Sequence, residues 1–125
     1  MAITTDQGME DVARLINNVS PNAAYTYIAT GSASTAESAT QTSLGAENTQ
    51  YGGQRQAATC EYEVPFKSKW EILLSFNGPV SIREIGLFNN SSAGRMFMRH
   101  VYDETMSKVS GQNLKITIYY TMVRV

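Results

Sequence analysis

The sequence predicts a mainly β fold, an antiparallel β-sandwich or small barrel of jelly-roll-like type with one short N-terminal helix. Three observations carry that prediction. From Ala24 onward nearly every periodic segment repeats every two residues, most clearly at Trp70, Ile72, Leu74 and Phe76 and at Leu114, Ile116, Ile118, Tyr120 and Met122. Turn signals separate the runs, at Asn77-Gly78-Pro79, at Asn89-Asn90-Ser91-Ser92-Ala93-Gly94 and at Ser110-Gly111-Gln112-Asn113. Helical spacing is found near the N-terminus, at Met9, Val12, Leu15 and Ile16. The pattern amounts to about six or seven strands. The 125 residues read as a single domain, residues 1–125, large enough to bury a core without metal or disulfide support.

The helix is expected over about residues 6–18. Asp6 can cap it, Glu10 and Asp11 suit its first turn, and Asn17-Asn18-Val19-Ser20-Pro21-Asn22 stops it. So short an amphipathic helix must lie on something. Its apolar stripe either covers the domain's own sheet or docks onto a neighbouring subunit.

Tyr25, Tyr27 and Ala29 alternate, and so do Ala58, Cys60, Tyr62 and Val64, which makes Cys60 a small buried residue and not a reactive thiol. Within Val80 to Phe88 the alternation breaks: Val80 and Ile82 share one face while Ile85 and Leu87 fall on the other. Either the strand is bulged near Arg83-Glu84, the reading we favour, or both its faces are covered, and Gly86 fits both. A bulge would leave Arg83 and Glu84 to pair across a subunit contact. Residues 25–30 and 114–125 are the candidate open edges.

Residues 31–53 form a long connection. From Ser32 to Leu44 it holds no aromatic residue and one charge, Glu37, so it cannot build a core of its own. It is either an arm laid over a neighbouring subunit, with Thr35 and Leu44 as contacts, or a free loop.

Composition narrows the function classes. With 42% hydrophobic and 17% charged residues the chain is globular, and a net charge of −1 gives no basic footprint for nucleic acid and no cationic face for a membrane. The single cysteine makes no internal disulfide. The first residues lack the features of a signal peptide, and no stretch suits a transmembrane helix, so the expected place of synthesis and assembly is a cytoplasm.

No catalytic, cofactor-binding or metal-binding residues are assigned. His100 shares parity with Met96, Met98 and Tyr102 in a strand and reads as a half-buried sheet residue. Glu61 and Glu63 point to one side of a strand, roughly 7 Å apart, a spacing compatible with paired-carboxylate chemistry and equally with a solvated strand face. No metal spacing, phosphate loop or nucleophile elbow occurs, and the chain is read as a non-enzyme with no cofactor. Tyr25, Tyr27, Tyr62, Tyr102, Tyr119 and Tyr120 suit either a glycan-stacking patch or ordinary strand pairing. Tyr119 and Tyr120 face opposite ways; an exposed one beside Met96 or Met98 would mark a hydrophobic protein interface. The candidate interface set is thus Arg83, Glu84, Met96, Met98, Tyr119, Thr35 and Leu44.

The run Ile28-Ala29-Thr30-Gly31, the Ala/Thr/Ser-rich tract closing at Leu44-Gly45-Ala46-Glu47, and Ile82-Arg83-Glu84-Ile85-Gly86-Leu87-Phe88 followed by Met96 to Tyr102 together resemble small β-rich structural proteins of tailed bacteriophages. The resemblance runs from about Ile3 to Val125. It implies a virion part assembled in the host cytoplasm, partnered by the major capsid protein or other virion proteins, and homo-oligomeric, with a trimer expected. Net charge and composition, as above, point to no nucleic-acid or membrane partner. With no heptad shaft, repeats or appended module in the sequence, a capsid decoration or cement protein is the first reading. A tail-fibre, baseplate or neck adaptor domain that contacts host glycan is the second, and a carbohydrate-binding module or glycan hydrolase on the same sandwich the third.

Overall fold

The computed structural model describes residues 2–124. In chain order its elements are β1 (Ile3–Thr4), α1 (Asp6–Asn17), β2 (Tyr27–Gly31), β3 (Gln56–Ala57), β4 (Thr59–Glu63), β5 (Lys67–Ser75), β6 (Val80–Phe88), β7 (Met96–Lys108) and β8 (Asn113–Thr121). They form two antiparallel sheets, one ordered β1-β7-β6-β2-β3 and the other β4-β5-β8. The fold is a sandwich and not a closed barrel. The eight strands exceed the expected six or seven because β1 and β3 are two residues each, too short for a period to show.

Trp70, Ile72, Leu74 and Phe76 are buried, together with Ile116 and Ile118 of β8, and face Ile28, Ile82, Ile85, Leu87 and Phe97 of the other sheet. The chain crosses between layers at the predicted turns, 76–79 from β5 to β6 and 109–112 from β7 to β8. Of the two candidate edges, residues 25–30 are ruled out, since β2 pairs with both β6 and β3; β8 is an edge strand.

The helix forms where expected, but its cap and its orientation differ. Thr5 and not Asp6 is the N-cap: its Oγ1 accepts the Gly8 N–H at 3.0 Å and donates to the Met96 carbonyl. Asn18 closes the helix in the left-handed conformation, at φ 57°. The face turned to the domain holds Gly8 and Asp11, whereas Met9, Leu15 and Ile16 are 60, 67 and 79% exposed. Of the apolar stripe, Val12 alone packs on the domain's own core, so the expectation that the stripe covers the domain's sheet holds for that residue and fails for the other three. At Gly8 the helix backbone lies almost on β7, so that a Cβ there would sit 2.6 Å from the Phe97 carbonyl oxygen. Buried Asp11 holds the same face down by accepting hydrogen bonds from Arg95 Nε at 2.9 Å, Asn22 Nδ2 at 2.8 Å and the Tyr25 hydroxyl. Burial alone would raise the Asp11 pKa, but these donors outweigh it and hold the carboxyl below its usual range.

Both readings of Val80 to Phe88 are realised. The register passes from Ile82↔Met106 to Glu84↔Val101, so the irregularity lies at Arg83 and the surplus residues are on β7, at 102–105. Ile85 and Leu87 thereby return to the core face already occupied by Val80 and Ile82. From Glu84 to Phe88 every residue is buried, because residues 32–47 cover the second face and build a small second core of Ala29, Leu44, Phe88 and Met96.

Candidate interaction surfaces

The tract that composition left as an arm or a free loop is fastened to its own chain by a buried ion pair. Glu84 and Arg99 expose 0% of their surface, and Arg99 Nε lies 2.8 Å from Glu84 Oε1. The Glu84 carboxylate also accepts the backbone N–H groups of Ala33, Gly45 and Ala46 at 2.9 to 3.0 Å. Burial alone would push its pKa up, but the amide and guanidinium donors hold it below the usual carboxylate value. Arg99 Nη1 donates to the Thr35 carbonyl at 2.8 Å and to Gln41 Oε1 at 3.2 Å, and Glu37 accepts the Val101 N–H at 2.7 Å. Small residues and glycines let the tract approach this closely: a Cβ on Gly31 would lie 2.6 Å from the Ala46 carbonyl oxygen.

Of the candidate interface residues, Glu84, Met96, Met98 and Leu44 are buried within the chain. Arg83 is half-buried and bonds the β7 excursion of its own chain, Nε to the Tyr102 carbonyl at 2.6 Å. Thr35 is exposed, though its carbonyl is held by Arg99. Tyr119 is 52% exposed, borders a cleft that Met98 also lines, and is the one residue of the set with a large free apolar surface. The surplus residues of β7 and the backbone cradle of Glu84 escaped sequence reasoning, because a buried carboxylate whose donors lie 38 to 51 residues away leaves no periodic trace.

A second apolar exposure lies on the helix. The outward face of α1 presents Met9, Leu15 and Ile16, with Val19 beyond its end. A groove of about 460 Å³ runs between α1 and the inner face of β4, lined by Val12, Leu15, Cys60, Tyr62, Trp70 and Met122 among others. The alternation through Cys60 holds but its burial does not: β4 turns Cys60 and Tyr62 inward onto an open groove, and both are exposed. Partial desolvation raises the Cys60 thiol pKa. At the groove's end Phe66 and Val123 flank Met122, continuing the apolar surface.

The outer face of β4-β5-β8 is polar. Glu61 and Glu63 stand opposite Lys69 and Lys67, with Lys69 Nζ 4.0 Å from Glu61 and 3.7 Å from Glu71. Lys67 and Lys69 both lie 6.0 Å from the Tyr119 ring centroid. Tyr62 points to the inner side of this sheet and Tyr119 to the outer, so the two most exposed tyrosines of the predicted patch share no surface. His100 is half-buried, as expected, edge-on to Tyr102 at 4.6 Å and 3.7 Å from Glu37. Among the described residues no three His, Cys, Asp or Glu side chains are grouped to hold a metal ion, and no helix is long and apolar enough to cross a membrane.

Compared with known proteins, the chain is matched by no family model, no curated protein and no solved structure.

Proposed function

We propose that this chain is a non-enzymatic structural protein of a tailed-phage particle, a decoration or cement protein that stabilises the shell from outside. The observation that carries the reading is the orientation of the helix: α1 is fastened through Gly8 to β7 and through Asp11 to Arg95, Asn22 and Tyr25, which turns Met9, Leu15 and Ile16 to the outside beside an open apolar groove. An exposed apolar surface beside an open groove supports a protein contact as its use. Repeated over many identical shell sites, such a contact stabilises a particle by mass action and multivalency without chemistry. The pairing of Glu61 and Glu63 with lysines supports a solvated strand face and not a carboxylate pair poised for glycoside cleavage.

The test is the copy number of this chain in purified particles, against the major capsid protein. Near parity supports decoration. A few copies per particle would move the protein to the tail or neck, and absence from particles would sink both placements. The double substitution Leu15→Ser and Ile16→Ser is expected to leave stability within about 0.5 kcal/mol while abolishing incorporation.

A further inference from the structure

We propose that β8 is a self-association edge: two copies of the chain join β8 to β8, antiparallel, about a two-fold axis through Thr117, doubling the three-stranded sheet into one continuous sheet. This goes beyond the functional reading and does not depend on where the protein works.

The free strand edges of the domain are not equivalent. β1 and β3 are two residues long. β4 has five residues, carries Glu61 and Glu63, and leads into Val64-Pro65. The part of β7 beyond β1 holds the irregular stretch 102–105, with Asp103 and Glu104 exposed. Short length, charge, proline and bulges are the devices by which sheets avoid unwanted pairing. β8 has none of them except one lysine: it pairs with β5 at nine successive positions, from Lys67↔Thr121 to Ser75↔Asn113, and Lys115 is its single charge.

A second copy suits this edge because the strand complements itself. Residues opposed across an antiparallel pair share a face. With Thr117, the midpoint of β8, opposite its own copy, Ile116 meets Ile118 and Leu114 meets Tyr120 on the core side, while Lys115 meets Tyr119 on the outer side. No like charges oppose, and each lysine meets a tyrosine ring. Leu114 of the second copy would also arrive beside the cleft of about 320 Å³ between β1 and the end of β8, which Trp70, Phe97, Met98 and Tyr120 line.

The experiment uses the full chain carrying Cys60→Ser, so that the native exposed thiol cannot report. Sedimentation equilibrium is expected to give twice the 13.8 kDa chain mass. Adding Thr117→Cys is expected to give an interchain cross-link with a bifunctional maleimide spanning under about 10 Å, whereas Tyr119→Cys alone gives none, its own copy lying roughly 13 Å away along the strand. Mixing Lys115→Cys with Tyr119→Cys restores the cross-link. A monomer or a trimer for the Cys60→Ser protein overturns the proposal, as does equal cross-linking of Thr117→Cys and Tyr119→Cys.

Discussion

Glu84 and Arg99 form an ion pair at 2.8 Å between neighbouring strands, both at 0% exposure, and the carboxylate of that pair also binds three backbone amides of a segment 38 to 51 residues earlier. A charge so placed cannot lose its partner cheaply. Glu84→Gln leaves the Arg99 guanidinium buried without a counter-charge, and a loss of about 3 to 5 kcal/mol is expected in urea unfolding. The amides of Ala33, Gly45 and Ala46 should lose their hydrogen-exchange protection in the same variant. Coupled replacement by Glu84→Gln and Arg99→Met should cost less than the sum of the single changes.

Acid should act on the same group. Glu84 and Asp11 both have lowered pKa values in the fold, from 4.5 and 3.8, so the native state binds fewer protons than the unfolded one in that range. Stability is then fully present above pH 4.5 and is lost as pH falls through the depressed folded-state values. Melting temperature against pH is expected to drop steeply below that point, and the drop should flatten in Glu84→Gln. An unchanged slope in the variant would remove Glu84 from the account.

Gly8 offers a prediction whose sign opposes helix propensity. Alanine gains about 1 kcal/mol over glycine in an exposed helix interior. Here the added methyl would meet the Phe97 carbonyl oxygen at 2.6 Å, an atom of a paired strand that cannot swing aside. Gly8→Ala should therefore destabilise by about 1 to 3 kcal/mol, read as a lower urea midpoint.

Cys60 is expected to react in the native state. Its thiol is exposed at the groove between β4 and α1, so a small maleimide should label it fully without denaturant. Its raised pKa predicts a rate at neutral pH below that of a free cysteine. Protection until unfolding would mean that the groove is closed in solution.

These sites also show where the sequence was transparent. Trp70, Ile72, Leu74 and Phe76 declared a buried strand face because alternation is a direct product of the pleat. The break at Arg83 was equally visible, since a bulge must change parity. The helix was visible but its direction was not: besides Val12 it meets the domain through a glycine and a carboxylate, residue types that a hydrophobic stripe argument assigns to solvent. Glu84 and Met96 point away from the core between the sheets, and nothing local reveals that residues 32–47, Leu44 among them, fold back to cover that second face, while Met98 belongs to the core between the sheets. A charged residue in a strand and a polar tract far upstream become one site only in three dimensions.

The way that tract is held has an evolutionary consequence. Apart from Glu37, Gln41 and Leu44, much of what binds it is main chain: the amides of Ala33, Gly45 and Ala46 and the carbonyl of Thr35. Any residue small enough to fit supplies those atoms equally well. Selection would therefore fix Glu84, Arg99 and Gly31 while the serines, threonines and alanines between them drift, so that descendants of this chain could keep the same wrapped segment with scarcely a shared letter in it.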